Sequence, residues 1–334
     1  MATATTTTRA LVTTQKPNGD GISNMEVKDI TLPPLKSNEL LVRVEYAAQN
    51  PTDVISQDSG RYGPGAVLGC DFCGLIQEVG NSVTRFKIGE RVGGLIWGGR
   101  TKGIGAYSSH TIAEEEFCFR VPGDVTKGEE AATIPLAANT AWMALFSNGT
   151  SVGQYAIQIA AMFGFTIVTT CSTHNFDMCK RLGSTHVFDY HDPDVVEKIK
   201  KAVPDITYVF DAVGSKESSR KGSEAVSSSK GGVLCTVRPG KTNTEAVVEG
   251  VRVTDVVVWT GLNREIKLTG YEWPASKEDY ELSVEFYENL PKYLISGAIK
   301  PNTPKILNGL EAVSEGFKLH RERKISAFKI VYKV

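Results

Sequence analysis

No apolar run in this chain approaches the roughly 20 residues that a membrane-spanning helix needs, so a membrane partner is not expected. Neither sign of charge dominates: 37 Lys and Arg face 38 Asp and Glu, for a net charge of −1. The basic residues are scattered and form no positive stripe, which argues against nucleic acid as a partner. Cysteine is scarce. Six in 334 residues (Cys70, Cys73, Cys118, Cys171, Cys179, Cys235) do not make a disulfide framework, and several sit in apolar strand-like runs where a reduced thiol packs as a small hydrophobe. The Thr-rich polar start, Met1 to Arg9, lacks the apolar segment of a secretory signal, and with the reduced cysteines it gives a cytoplasmic expectation. Internal repeats are missing too, and low complexity is confined to that start and Ser227 to Ser229.

Metal ligands are equally sparse. Cys70-Asp71-Phe72-Cys73 has the two-cysteine spacing of a zinc site, but no second pair completes four ligands, so two packed thiols are the expected reading. There is no His-Glu-x-x-His helix, and His110 stands alone. No metal is expected, and the chemistry has to rest on an organic cofactor.

What remains is the composition of a soluble globular chain, 41% hydrophobic and 22% charged, and long enough for two lobes. From Ala10 to Pro135, runs such as Glu39 to Tyr46 and Val67 to Val79 are rich in Val, Leu and Ile and punctuated by Gly or Pro, as in a compact β lobe. Between Ser151 and Tyr271 short apolar strands alternate with amphipathic helices, the pattern of a parallel sheet wound by crossover helices. Helices are predicted over Ser151 to Phe163, Asn175 to Leu182 and Pro193 to Ala202. Strands are predicted over Thr166 to Cys171, His186 to Phe188, Ile206 to Asp211 and Gly232 to Val237. A helical stretch from Lys277 to Ile295, another over Leu310 to Arg321 and a last strand, Ile325 to Tyr332, return to the first lobe. The expected domains are therefore 1–136 with 272–334, and 137–271.

Gly149-Thr-Ser-Val-Gly153 opens the first of these helices. Glycines there admit a pyrophosphate close to the backbone, against the free N–H groups of a helix N-terminus, although a plain helix-start turn has the same form. The strand that follows ends at Cys171-Ser172-Thr173-His174-Asn175, with no Asp or Glu for a ribose 2′-hydroxyl. Ser172, His174 and Asn175 are instead donors for a 2′-phosphate, and Lys180 and Arg181 add positive charge nearby, so NADPH is expected over NADH. The same run is also an ordinary N-cap, and Tyr190 is either an adenosine contact or a packing residue.

Asn50-Pro51-Thr52-Asp53, Leu68-Gly69-Cys70-Asp71-Phe72-Cys73-Gly74, Gly89-Glu90-Arg91-Val92 and Ala131-Ala132-Thr133-Ile134-Pro135-Leu136 resemble the zinc-independent, quinone-oxidoreductase-like branch of the medium-chain dehydrogenase/reductases. Leu95-Ile96-Trp97-Gly98-Gly99, Thr170 to Asp177 and Val187-Phe188-Asp189-Tyr190 more narrowly resemble fungal trans-acting enoyl reductases of polyketide biosynthesis. The resemblance implies an α/β fold, a Rossmann doubly wound parallel sheet plus a discontinuous GroES-like β lobe. It also implies an NADPH-dependent enoyl reductase whose substrate is an α,β-unsaturated acyl thioester on the acyl-carrier domain of a highly reducing polyketide synthase. By matched position it implies cofactor contacts from Pro51, Thr52, Asp53, Val54 and Ile55, from Thr150, Ser151 and Val152, from Ser172, Thr173, His174, Asn175 and Tyr190, and from Val237, Arg238, Ile325 and Ser326. Substrate contacts fall on Pro135, Leu136, Thr140 and Val258-Trp259-Thr260-Gly261, and Tyr46, Asn50 and Asn139 are the catalytic candidates near the nicotinamide.

Two departures from the family stand out. Ile55 replaces a lysine that some members carry just after the Asn-Pro-x-Asp motif. Trp142 to Phe146 also runs almost directly into Ser147 to Thr150, where the family has a first Rossmann strand and a Gly-Gly turn. Either an additional segment belongs between about Phe146 and Gly149, or the central strand is gone and cofactor binding suffers. The alternatives to a polyketide partner are a self-standing reductase of small enones or quinones and a cofactor-impaired scaffold.

Overall fold

The computed structural model describes residues 6–14, 24–146, 153–268 and 270–334. The chain divides into two compact units, one of residues 1–136, 287–295 and 301–334, the other of 137–286 and 296–300. The expected division put 272–334 with the first lobe, whereas by packing 272–286 and 296–300 group with the second.

The first unit is built on a seven-stranded sheet in the order Pro304–Asn308, Lys329–Lys333, Glu39–Ala48, Asp71–Val79, Arg91–Leu95, Cys118–Arg120, with His110–Glu114 also paired to Glu39–Ala48. Glu39–Ala48 is buried on both faces over its first half, as a central strand is: Leu40, Val42 and Val44 pack against Phe72, Ile76, Val92 and Tyr332, Leu41 packs with Leu32 and Ile112, and Arg43 faces out. The tail re-enters as a parallel pair, Pro304–Asn308 beside Lys329–Lys333, and the latter runs antiparallel to Glu39–Ala48. After that spine the chain turns into the helix Pro51–Ser59. Pro51 supplies the preset φ of a first helical residue, the Asp53 carboxylate accepts the Asn50 backbone N–H, and Gly60 ends the helix at φ 58°.

The second unit carries the crossover pattern. Val168–Cys171 pairs in parallel with His186–Asp189, and Tyr208–Asp211, Gly232–Thr236 and Val251–Asp255 form a second parallel set. Helices Gly153–Met162, Phe176–Leu182, Val195–Ala202 and Lys216–Glu224 alternate with them. A short hairpin, Ile266–Leu268 with Tyr271–Trp273, follows.

The parallel sheet comes in two pieces. Among the described residues no strand pairs Val168–Cys171 with Tyr208–Asp211, and both are only partly buried although a doubly wound sheet encloses its centre. The helices Pro135–Phe146 and Gly153–Met162 leave only residues 147–152 between them. The stretch itself, and with it the expected extra segment and the candidates Thr150, Ser151 and Val152, lies outside the described residues.

Candidate functional site

The first unit encloses two carboxylates that share one network. Asp71, fully buried, accepts from the Asn50 side-chain amide (3.0 Å), the Leu136 backbone N–H (2.8 Å) and the Lys329 ammonium (2.6 Å). Lys329 also donates to the Thr133 carbonyl at 3.2 Å. Asp53, one helical turn from Asn50, accepts the Asn50 backbone N–H (2.7 Å), the Cys70 thiol (3.2 Å) and the Tyr107 hydroxyl (3.0 Å). Burial pushes the Asp53 carboxyl up to about 6, against the pull of those three donors, and the neighbouring Asp71 adds to the rise. Burial likewise holds the Tyr107 and Cys70 protons in place far above their ordinary range, so both act here as hydrogen-bond donors. Asp71 thus fixes both the Asn50 amide and the start of the helix Pro135–Phe146.

Tyr46 stands apart from that network. It lines a groove of about 440 Å³ with Arg43, Glu45, Arg91, Lys127, Glu129 and Lys333. Its phenol is raised, first by desolvation and then by Glu129 and Glu45, so it keeps its proton there. Of the cofactor candidates in this unit, Val54, Ile55 and Ile325 line one cavity of about 530 Å³ together with Asp58, His320, Arg321 and Arg323. Pro51 and Ser326 are exposed and Thr52 is half-buried. Pro135 offers its carbonyl to the Tyr287 hydroxyl at 3.0 Å.

In the second unit the helix Pro135–Phe146 buries Asn139 and Thr140. The Asn139 amide donates to the Ser283 hydroxyl at 3.2 Å and lies 3.8 Å from the Met143 sulfur. Val258, Trp259, Thr260 and Gly261 form a buried turn. The Thr260 hydroxyl bonds to the Val257 carbonyl (2.9 Å) and to the Asp279 carboxylate.

At the carboxyl ends of the parallel strands, where ligands of such sheets gather, Ser172 and Asn175 are half-buried, and Thr173 and His174 are exposed. Tyr190, 45% exposed, tilts over His191 at 3.9 Å between ring centroids. The following turn is tightly organised. The buried Asp211 carboxylate accepts from the Val213 and Gly214 N–H groups (3.1 and 2.8 Å) and from the Ser218 and Ser219 hydroxyls (2.9 and 2.7 Å). The Arg238 guanidinium caps the same turn through the Gly214 carbonyl at 3.0 Å, and the Val237 N–H bonds to the Asp211 carbonyl at 3.3 Å.

The sequence pattern brought out Asn50 and Asp53 as site candidates; Asp71 stood only inside a family motif, and Lys329, Ser283 and the serines around Asp211 were not brought out at all. One signal was available for Lys329: a lone charge opening the apolar strand Lys-Ile-Val-Tyr. Nothing local marks Ser283 in the polar-rich helix Lys277–Ile295.

Residues 36–123 match the alcohol dehydrogenase GroES-like domain, and residues 151–288 match the zinc-binding dehydrogenase domain. A zinc-type alcohol dehydrogenase-like protein of Schizosaccharomyces pombe is 32% identical, covering 94% of this chain and 98% of its own. A trans-enoyl reductase of Alternaria alternata is 28% identical over 93% of this chain and 96% of its own. Among solved structures the CurK enoyl reductase shares the fold at a TM-score of 0.76 and 20% identity, over 98% of this chain and 99% of its own. The quinone oxidoreductase of Coxiella burnetii does so at 0.72 and 21%, over 98% and 100%. The chain belongs to the medium-chain dehydrogenase/reductase family of oxidoreductases, with a GroES-like and a Rossmann domain, a fold that implies a nicotinamide cofactor. The alignment with the S. pombe protein runs over 345 positions, more than the 334 residues here, so that relative carries residues with no counterpart in this chain.

Zinc, after which the second domain's family is named, does not fit the side chains present. Among the described residues no three or more His, Cys, Asp or Glu gather to hold a metal. Cys70 is spent on Asp53, and burial raises the Cys73 thiol well above its ordinary value.

Proposed function

We propose that this protein is an NADPH-dependent enoyl reductase acting in trans, on an α,β-unsaturated acyl thioester held by the acyl-carrier domain of a polyketide synthase. The observation that carries this reading is the set of fungal relatives named trans-enoyl reductases, alike over nine-tenths or more of this chain. NADPH, when bound, supplies the hydride that reduces the β-carbon. The chain's own part is to bind, orient and stabilise charge. Ser172, Thr173, His174 and Asn175 offer hydroxyl, imidazole and amide donors for the 2′-phosphate where an NAD enzyme places an acid. The buried amides of Asn50, held by Asp71, and of Asn139, held by Ser283 and Met143, are the groups for the nicotinamide and the thioester. Pro135, Leu136, Thr140 and the turn Val258–Leu262 supply apolar and backbone surface for the acyl chain.

The experiment is NADPH oxidation with three acceptors: an enoyl thioester on a carrier domain, the same acyl group on pantetheine, and a free enone or quinone. Turnover of the thioesters alone supports the reading, and rapid turnover of the free acceptors with none of the thioester replaces it with a small-molecule reductase. A second reading, a scaffold with impaired cofactor binding, draws support from the two-piece parallel sheet. Absence of any NADPH titration signal would favour it.

A further inference from the structure

Asn139 is 1% exposed, and the two ends of its amide are treated differently. The nitrogen has somewhere to place both hydrogens: the Ser283 hydroxyl at 3.2 Å and the Met143 sulfur at 3.8 Å. The oxygen Oδ1 has no partner among the described residues. Exchanging the two ends would leave two N–H groups without an acceptor in place of one bare oxygen, so the orientation found is the better one. A buried amide oxygen left bare is rare and calls for a partner from outside the chain.

Three elements of the second unit hold this arrangement. Asn139 and Met143 are one turn apart on the helix Pro135–Phe146, and Ser283, fully buried, comes from the helix Lys277–Ile295. Gly261, in the buried turn Val258–Leu262, completes it. A Cβ there would sit 2.3 Å from the Ser283 oxygen and 3.3 Å from the Met143 sulfur, so only glycine leaves the hydroxyl its place.

We infer that Ser283 is a positioning residue that locks the Asn139 amide by accepting its N–H, which keeps Oδ1 open as an acceptor for an amide N–H of a bound ligand. In the reductase reading, on which this rests, two ligands carry such a group: the nicotinamide carboxamide and the amide of a pantetheine thioester. The selectivity follows from burial, because a ligand that lacks the N–H leaves the oxygen bare while one that has it does not.

The test measures dissociation constants for two ligand pairs on the full chain. One pair is NADPH and the reduced 3-acetylpyridine analogue of NADP, in which an acetyl group replaces the carboxamide. The other is the crotonyl thioester of N-acetylcysteamine and crotonyl S-ethyl thioester, which has no amide. The parent is expected to favour the amide member of one pair by about tenfold, and that pair names the ligand. Asn139→Ala, or the volume-keeping Asn139→Leu if the first fails to fold, should bring that ratio close to unity. Ser283→Ala should lower the ratio part of the way. If Ser283 merely filled space, Ser283→Ala would weaken both members alike with the ratio intact, and that result overturns the inference. Flat ratios in the parent for both pairs also overturn it while leaving the reductase reading standing. If the parent binds none of the four probes, both fall.

Discussion

Replacing Lys329 by Met is expected to strand a charge in the core of the first unit. The Lys329 side chain is 9% exposed and that of Asp71 fully buried, with 2.6 Å between ammonium and carboxylate. Met keeps most of the apolar stem, so the change isolates the ammonium. Asp71 would retain the Asn50 amide and the Leu136 N–H but lose its counter-charge. Removing one member of a buried pair costs about 3–5 kcal/mol. In a unit of this size each kcal/mol moves Tm by roughly 2–4 °C, which gives a drop of roughly 6–20 °C. Thermal melts by circular dichroism measure it. A chain of two units can melt in two steps, so the shift is read on the transition that moves. Lys318→Met, whose pair with Glu322 spans 3.9 Å at the surface, is the control and should leave the melt unchanged. Adding Asp71→Asn to Lys329→Met removes the stranded charge and should recover a large part of the loss. A Lys329→Met protein within about 1 kcal/mol of the parent, or a double variant no better than the single, would refute the reasoning.

The Asp53 carboxyl, raised by burial to about 6, makes a pH-dependent contribution of defined sign. The fold favours its protonated form, so its stabilising effect is complete below the unfolded value near 3.9 and is lost as pH rises through about 6. The stability of the parent relative to Asp53→Asn should therefore fall by about 2.4 kcal/mol between pH 4 and pH 8; urea melts that give a constant difference contradict it. NADPH should bind at least about tenfold more tightly than NADH, from one or two charge-assisted hydrogen bonds, and His174→Ala or Ser172→Ala should narrow the gap. Equal dissociation constants in fluorescence titrations would count against that loop. Elemental analysis should find no stoichiometric zinc and chelators should leave activity unchanged; one equivalent of zinc would overturn the metal-free assignment.

Periodicity carried most of the fold. The Val- and Leu-rich run from Glu39 and the amphipathic spacing of Val195–Ala202 report burial directly, and both elements formed where their patterns lay. Less visible was the helix Pro51–Ser59, whose polar sequence offers almost no apolar face and whose signal is the Asn-Pro-x-Asp start alone. The strand Val251–Asp255 and the hairpin after it are less legible because they are short, and Val251–Asp255 merges into the apolar run Val256 to Trp259 with no turn residue between them. Within the site, Asn50 and Asp53 are legible since the helix cap couples them locally. The pairing of Asp71 with Lys329 joins residues 258 apart in sequence, and that of Asn139 with Ser283 residues 144 apart, and no local pattern encodes such contacts.

The central claim is hydride transfer from NADPH to the β-carbon of an enoyl thioester. The most direct measurement uses NADPH carrying deuterium at the transferred position, with a crotonyl thioester on a carrier domain and mass spectrometry of the product. The account expects a saturated acyl thioester bearing one deuterium at the β-carbon. An unreduced thioester with NADPH intact, or a reduced product without the label, would contradict it.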